Sequence, residues 1–222
     1  MDAVIFDCDG VLIDSETIAH DVELEAFARL GLFVDAAAFK ARIQGLSVQG
    51  WSREFEALHL AQTGRGLPAG FIDEMCREIT RRILADIRPI PGAIDAARAA
   101  RGRKAVASSS PKVELHGKIS GLGLWDDFGG HVYSGDDVQN GKPAPDLFLL
   151  AAARLSVPAA RCVVIEDSLN GVRAGIAAGM TVWGFSGGPH CGPDHGPALV
   201  GAGASAVFAD MAHVAAALRA MG

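Results

Sequence analysis

The chain has 222 residues, half of them hydrophobic, which is enough for one large domain or for a core domain with a modest insertion. Its net charge of -6 provides no overall positive field, so we expect neither nucleic acid nor an anionic membrane surface as a partner. No stretch reaches the ~18 consecutive apolar residues of a membrane span, and no basic flank precedes the first apolar residues.

Four short apolar runs predict buried strands, and helical patterns separate them. Ala3–Phe6 stops at Asp7, and similar runs follow at 105–107, 162–165 and 181–185. Consecutive apolar residues are typical of parallel strands that are covered on both faces. Strands that alternate with helices therefore predict an α/β fold with a doubly wound, mostly parallel sheet, a Rossmann-like core.

Residues 16 to about 86 interrupt this alternation, because they show helical periodicity and no convincing strand. Asp14 and Ser15 can cap the helix that enters this interval, and a turn with prolines and a glycine follows it. We therefore predict an α/β core domain with the catalytic site and an inserted helical cap domain: residues 1–14 with 87–222, and residues 15–86, respectively.

Two aspartates follow the first predicted strand. Asp7 and Asp9 are two residues apart, so in extended chain their carboxylates would converge on one side. In open α/β sheets, this edge is where ligands bind. The pair could share a divalent cation, and one carboxylate could attack phosphorus while the other handles a proton. Acidic residues also form ordinary turns at strand ends, so the pair alone leaves both interpretations open.

Three further segments carry polar groups to the same predicted edge. Ser108 and its neighbours supply hydroxyl groups and turn amides that can hold phosphoryl oxygens. Lys142 lies between a glycine and a proline, and this proline excludes a P-loop, which needs Ser or Thr there. Glu166 and Asp167 end a fully apolar strand, where burying two acids is costly unless a cation or hydrogen bonds compensate.

The helix predicted after these acids has glycines at every fourth position. Gly171, Gly175 and Gly179 would lie along one helix face. A row of small residues favours close packing of the helix on the sheet. The spacing differs from a dinucleotide-binding fingerprint, so it indicates packing and no cofactor.

In this order, the four polar segments resemble the four motifs of the haloacid-dehalogenase-like superfamily. Asp7-x-Asp9 resembles the first motif, Ser108 the second and Lys142 the third, and the adjacent acids Glu166-Asp167 resemble the fourth. The resemblance covers nearly the whole chain. A helical cap between the first and second motifs is similar to subfamily IA, and the β-phosphoglucomutase-like and 6-phosphogluconate-phosphatase-like proteins are the nearest group.

The resemblance implies a Mg²⁺-dependent phosphatase that hydrolyses a small phosphorylated metabolite, such as a sugar phosphate or a sugar-acid phosphate. Asp7 would attack phosphorus and form an aspartyl phosphate, while Asp9 would protonate the leaving alkoxide and then activate water. Ser108 and Lys142 would stabilise the transferring phosphoryl group. Mg²⁺ would be held by Asp7, the main-chain carbonyl of Asp9, Glu166 and Asp167.

Four residues are candidates for substrate binding. Ser109 lies beside Ser108 in the second motif, whereas Gln44, Gly45 and Arg53 belong to the cap segment expected to face the active site. A polar and slightly basic lining would suit a phosphorylated sugar or sugar acid. The sequence does not identify the substrate further.

A β-phosphoglucomutase-like sugar-phosphate mutase is the first alternative, because it would share the fold and the motifs. Three groups that such a mutase needs differ here. Val48 stands where a cap arginine is expected, and Ala19, with His20 next to it, stands where a histidine is expected. Pro111 replaces a basic residue three positions after Ser108. Hydrolysis is therefore favoured over isomerisation.

Two other functions are weaker alternatives. Dehalogenases of the superfamily lack the second aspartate of the first motif, because a leaving halide needs no proton, and Asp9 is present here. A non-catalytic ligand-binding protein of the same fold would be expected to have lost motif residues. All of them are present, so the sequence favours an enzyme.

The segment 184–203 is rich in glycine and proline and predicts a long surface loop. It contains His190, Cys191 and His195, whose side chains could bind a transition metal. Adjacent His and Cys do not have a usual structural-zinc spacing, and histidines in such loops are more often solvated, so we predict no metal from this pattern. The four cysteines lie far apart, which indicates unpaired thiols in a reducing compartment. We expect a cytoplasmic monomer or weak homo-oligomer.

Overall fold

A computed structural model describes residues 1–36, 38–39 and 48–221 of the protein. These residues form six strands and nine α-helices. The strands are β1 (Ala3–Phe6), β2 (Arg103–Ser108), β3 (Val132–Ser134), β4 (Cys162–Glu166), β5 (Thr181–Phe185) and β6 (Ala206–Phe208). The helices are α1 (Glu16–Arg29), α2 (Val48–Thr63), α3 (Phe71–Ala85), α4 (Ala93–Ala99), α5 (Lys112–Gly121), α6 (Asp146–Leu155), α7 (Leu169–Ala177), α8 (His195–Gly201) and α9 (Met211–Ala220). None of the helices described is long and apolar enough to cross a membrane.

The chain divides into two compact units, which we name the core unit and the helical unit. The core unit is Met1–Glu16 with Asp86–Gly222, and the helical unit is Thr17–Ala85. All six strands belong to the core unit, whereas the helical unit contains most of α1 together with α2 and α3. A helical segment therefore lies between β1 and the rest of the sheet along the chain. Its role as a cap stays a prediction.

The six strands form one parallel sheet in the order β3-β2-β1-β4-β5-β6. Phe6, the last residue of β1, is in register with Val106 of β2 and Ile165 of β4. The chain first builds the sheet on one side of β1 and then returns to the other side, so the strand order reverses beside β1. Ligands bind at the carboxyl ends of strands near such a reversal. The predicted doubly wound α/β fold is confirmed.

Hydrophobic side chains cover both faces of the sheet. Alternate residues of β1 point to opposite faces, so Val4 and Phe6 join one cluster and Ala3 and Ile5 join the other. Residues of α4, α5 and α9 complete the first cluster, and residues of α6, α7 and α8 complete the second. This double cover explains why β1 is apolar at every position.

The helical unit has its own core of aromatic side chains. Phe27 of α1 stacks on Phe55 of α2 with ring centroids 4.4 Å apart and an interplanar angle of 7°. Phe39 meets Phe27 edge to face, and Phe71 and Met75 of α3 are buried in the same cluster. The helical periodicity of this interval therefore corresponds to helices that bury one face against each other.

One prediction about elements is wrong, and two strands are missed. The segment 184–203 is not a loop throughout, because β5 extends to Phe185 and α8 begins at His195. Leu199 of α8 is fully buried against Gly184, where a Cβ would lie 3.1 Å from its Cδ1. The sequence analysis also does not predict β3 and β6. These strands have three residues each and lie at the sheet edges, so neither contains a long apolar run.

Candidate active site

The carboxyl ends of β1, β2 and β4 bring three charged groups together. Asp7 follows β1, Glu166 ends β4, and Lys142 reaches both from the segment before α6. Lys142 Nζ donates hydrogen bonds to Asp7 Oδ1 at 2.6 Å, Glu166 Oε1 at 2.7 Å and the main-chain oxygen of Ala107 at 3.0 Å. Its side chain is only 5% exposed, so these ion pairs lie in a poorly screened environment.

Asp7, Glu166 and Asp167 form a buried acidic cluster in which one oxygen of each carboxyl lies within 4.8 Å of the others. Burial raises the pKa of Asp7 well above its ordinary value; Lys142 opposes this shift, whereas Glu166 and Asp167 add to it. Burial and the Glu166 carboxylate raise the pKa of Asp167 in the same way. Three acids share one nearby lysine, so negative charge is in excess. Oxygen ligands with excess charge fit a hard divalent cation such as Mg²⁺.

Glu166 is held by the start of α7. The main-chain N–H and the hydroxyl of Ser168 donate to Glu166 Oε2 at 2.7 and 2.9 Å, and Ser168 Oγ accepts from the N–H of Gly171. A Cβ at Gly171 would lie 1.7 Å from Glu166 Oε1. The glycines that are predicted to pack the helix on the sheet therefore have two different roles. Gly175 packs closely on Val182 of the sheet, whereas Gly171 makes room for a carboxylate of the site.

Asp9 binds a different set of partners from Asp7. Its Oδ1 accepts from Ser15 Oγ at 2.7 Å and from Lys118 Nζ at 2.6 Å. Its Oδ2 accepts from Ser108 Oγ at 3.1 Å and from Ser110 Oγ at 2.5 Å. Both oxygens are therefore fixed by donors, and the Asp9 carboxylate is oriented by groups from three separate segments of the chain.

Lys118 of α5 is the least expected member of this set, because its side chain is only 1% exposed. It also donates to Ser110 Oγ at 2.9 Å and forms an ion pair with Glu114 one helical turn away. Burial alone would lower the pKa of Lys118, but Asp9 and Glu114 help raise it above its ordinary value. In turn, burial raises the pKa of Asp9, and the charge and hydrogen bond of Lys118 outweigh this and lower it.

Among the described residues, the Asp9 carboxylate is not a member of the acidic cluster that Asp7 forms with Glu166 and Asp167, and a cation shared by Asp7 and Asp9 stays a prediction. The extended strand ends at Phe6, and the amides of Leu12 and Ile13 both fold back onto the main-chain oxygen of Cys8. The two-residue alternation of a strand therefore does not continue to Asp9. A contribution of Asp9 to a metal would come from its main-chain carbonyl.

The residues predicted to bind substrate have different positions. Ser109 is exposed beside Ser108, the predicted catalytic serine, which is buried at the end of β2 with its hydroxyl directed at Asp9. Arg53 is exposed on α2 of the helical unit. Gln44 and Gly45 lie outside the described residues. All four assignments to substrate stay predictions.

The chain was compared with models of known protein families. The model of the haloacid dehalogenase-like hydrolases matches residues 1–179. The chain belongs to the haloacid dehalogenase-like hydrolases. The order of the four motifs and the arrangement of β1, β2 and β4 are therefore those of a known family of hydrolases.

Two relatives of this HAD-like hydrolase are named as phosphatases. It is 29% identical to the 6-phosphogluconate phosphatase of Escherichia coli (strain K12), over 87% of this chain and 86% of that protein. It is 32% identical to the Escherichia coli (strain K12) fructose-1-phosphate phosphatase YqaB, over 80% of this chain and 92% of that protein. A crystal structure of a HAD family hydrolase from Deinococcus radiodurans R1 with bound phosphate and sodium has a TM-score of 0.83 and 36% identity, covering 98% of this chain and 95% of that one. The protein is a phosphoric monoester hydrolase.

Sequence reasoning missed three groups of the HAD-like hydrolase site, namely Ser15, Ser110 and Lys118. The sequence predicts Ser15 as a helix cap and Ser110 only as a hydroxyl neighbour of Ser108, yet both donate to Asp9. Lys118 follows Glu114 by four residues, a spacing that normally indicates an exposed ion pair on a helix. The apolar neighbours of Lys118 on α5, Leu115 and Ile119, were the only signal that this side of the helix is buried.

Proposed function

We propose that this HAD-like hydrolase is a Mg²⁺-dependent phosphatase that acts on a small sugar phosphate or sugar-acid phosphate through an aspartyl-phosphate intermediate. The observation that supports this most is the position of Asp7 at the end of β1, fixed by Lys142 beside Glu166 and Asp167. The names of two relatives, a 6-phosphogluconate and a fructose-1-phosphate phosphatase, favour these substrate classes.

In the first chemical step, an oxygen of Asp7 would form a bond to phosphorus as the bond from phosphorus to the substrate alcohol breaks. Asp9 would give a proton to the leaving oxygen and, in the second step, take a proton from the water that attacks phosphorus and releases Asp7. The donors around Asp9 favour its carboxylate form, which is the form the second step needs. The proton that Asp9 takes from water in this step is the one that it would give to the leaving oxygen in the next cycle. Lys142 would stabilise charge on the phosphoryl oxygens.

Mg²⁺ would be held by Asp7, Glu166, Asp167 and the main-chain carbonyl of Asp9. When bound, it supplies positive charge that neutralises the phosphoryl group and the acidic cluster. The cluster suits this role because its ligand atoms are all carboxylate oxygens. We expect a chelator to abolish phosphate release and added Mg²⁺ to restore it, measured on the same protein sample.

Two basic residues that could compensate for the missing mutase groups are engaged elsewhere. His20 Nδ1 lies 3.4 Å from Glu23 Oε2 within α1. Lys112 Nζ donates to Asp137 Oδ1 at 2.5 Å, and its main-chain N–H donates to Asp136. Both side chains have a carboxylate partner, which favours hydrolysis over isomerisation. Arg53, Arg77 or Arg81 of the helical unit could still supply a second phosphate-binding cation, so a mutase stays the alternative.

The deciding experiment measures phosphate release from a panel of sugar phosphates, sugar-acid phosphates and phosphoglycolate, with and without Mg²⁺. Isomerisation of β-glucose 1-phosphate is measured in parallel. We expect Mg²⁺-dependent phosphate release, with the highest kcat/KM among the sugar and sugar-acid phosphates. Isomerisation without net phosphate release would identify a mutase instead, and inactivity toward the whole panel would contradict the proposed substrate class.

Gly171→Ala tests the contribution of Glu166. A methyl group at this position would displace the Glu166 carboxylate from Lys142 and Ser168, because the new Cβ would lie 1.7 Å from Oε1. We expect the Mg²⁺ concentration that gives half-maximal activity to rise by at least about tenfold. Gly201→Ala in α8 is the matched control, since a Cβ there has no neighbour within 4 Å. If both variants reached half-maximal activity at the same Mg²⁺ concentration, Glu166 would not contribute to metal binding.

A further inference from the structure

Two histidines and a cysteine from the segment after β5 lie together in the core unit. A ligand atom from each of His190, Cys191 and His195 lies within 4.8 Å of the others. The Sγ atom of Cys191 is 3.3 Å from His190 Nε2, and the same nitrogen is 2.8 Å from Asp167 Oδ2. The sulfur of Cys191 and the carboxylate of Asp167 thus both lie beside the imidazole of His190.

His195 is oriented as a metal ligand would be. Its Nε2 lies 2.6 Å from the main-chain oxygen of Asp167. Because a carbonyl oxygen only accepts hydrogen bonds, Nε2 must carry the proton, and the lone pair is on Nδ1. Histidines that bind metals usually donate their other N–H to a carboxylate or a main-chain carbonyl in this way.

His190 has a buried nitrogen that no hydrogen bond satisfies. Its side chain is 9% exposed, and among the described residues nothing pairs with its Nδ1. If Nε2 carries the proton, Nδ1 is a buried acceptor without a donor; if Nδ1 carries it, Nδ1 is a buried donor without an acceptor. Both neutral tautomers therefore leave the same nitrogen unpaired, which is unfavourable for a buried polar atom.

The imidazole of His190 lies close to Gly188 and Gly10 and is not solvated, contrary to the prediction from the sequence. A Cβ at Gly188 would lie 2.5 Å from its Cε1, and a Cβ at Gly10 would lie 2.8 Å from the same atom. Cys191 donates its main-chain N–H to Gly188 at 2.9 Å, which closes a turn around the ring. The segment thus fixes the imidazole beside Asp167.

We propose that His190, Cys191 and His195 bind a transition-metal ion of the Zn²⁺ type. His190 would bind the ion through Nδ1, its unpaired buried nitrogen, while its Nε2–H donates to Asp167 Oδ2 at 2.8 Å. Thiolate and imidazole ligands select Zn²⁺ or Co²⁺ over Mg²⁺. The proposal does not depend on the proposed function.

Co²⁺ is the probe that separates this site from the acidic cluster. A bound thiolate gives a sulfur-to-cobalt charge-transfer absorption, which a site made only of carboxylates cannot give. We expect the purified protein, titrated anaerobically with Co²⁺, to develop this absorption to a limit of one ion per chain and to lose it when Zn²⁺ is added. The variant Asp7→Asn, altered only in the acidic cluster, should keep it.

Two variants and two matched controls complete the test. Cys191→Ser should lose the charge-transfer absorption, and His195→Ala should weaken Co²⁺ binding by at least about tenfold. Cys76→Ser changes a cysteine of the helical unit, and His213→Ala changes an exposed histidine that pairs with Asp210, so both should match the wild type. Absence of the absorption in the wild type, or its persistence in Cys191→Ser, would overturn the proposed site.

Discussion

Asp7→Asn is expected to lower kcat for phosphate release by at least about 10³-fold, because the amide cannot act as the nucleophile that forms the acyl phosphate. The protein should stay folded. Burial and the nearby carboxylates of Glu166 and Asp167 raise the pKa of Asp7, although Lys142 opposes them, so a neutral amide relieves charge repulsion and should not lower Tm. Loss of activity with an unchanged or higher Tm would therefore be an effect on the chemistry.

The measurement is a time course of phosphate release with the best substrate of the panel, together with thermal unfolding of the same samples. Acid quenching during turnover of a radiolabelled substrate should leave label on the wild type and none on Asp7→Asn. Asp2→Asn is the control, because Asp2 forms an exposed ion pair with Arg161, and such pairs contribute about 0–1 kcal/mol. A kcat for Asp7→Asn close to that of Asp2→Asn would exclude Asp7 as the nucleophile.

Much of the site could be predicted because it lies at the ends of parallel strands. The carboxyl ends of such strands share one edge, so a motif that follows an apolar run can be placed near other such motifs without knowing the loops. Asp7 and Lys142 are 135 residues apart in the sequence, yet the hydrogen bond from Lys142 Nζ to the Asp7 carboxylate is consistent with that rule. The pairing of β1 with both β2 and β4 is what brings Asp7 to the middle of the edge.

Other features depend on how helices pack, which a local pattern does not determine. Lys118 lies in α5, where a lysine four residues after a glutamate is usually exposed, and its contact with Asp9 spans 109 residues. Gly171 resembles an ordinary packing glycine until the position of the Glu166 carboxylate is known. The direction of the Asp9 side chain depends on the turn after Phe6, which strand alternation does not describe.

Lys118→Met is expected to lower the free energy of unfolding by about 3–5 kcal/mol, because removal of the cation leaves two carboxylates without their partner. Lys118 is the only cation that the structure places in contact with Asp9 among the described residues, and it also forms an ion pair with Glu114. Methionine has a similar length, so the loss should come from charge and hydrogen bonding more than from packing. Urea unfolding at neutral pH measures the change.

A second substitution shows whether the loss of stability in Lys118→Met comes from unbalanced charge or from altered packing. Glu114→Gln combined with Lys118→Met removes one of the two negative charges that Lys118 offsets, so we expect the double variant to be more stable than Lys118→Met alone. Lys112→Met is the matched control on the same helix, because Lys112 is half exposed and its ion pair with Asp137 contributes about 1 kcal/mol or less. Equal losses of stability in Lys112→Met and Lys118→Met would show that Lys118 is not a buried partner of Asp9.

The activity of these variants tests whether Lys118 also orients Asp9 for catalysis. Without Lys118, Asp9 Oδ1 keeps only the hydroxyl of Ser15, and Ser110 loses the donor that fixes its own position. A misplaced proton-transfer group affects the chemical steps more than binding, so we expect kcat to fall by about 10²-fold with little change in KM. Lys118→Arg, which keeps the charge, should recover part of kcat. A loss confined to KM would place Lys118 in substrate binding, and an unchanged kcat would make its role purely structural.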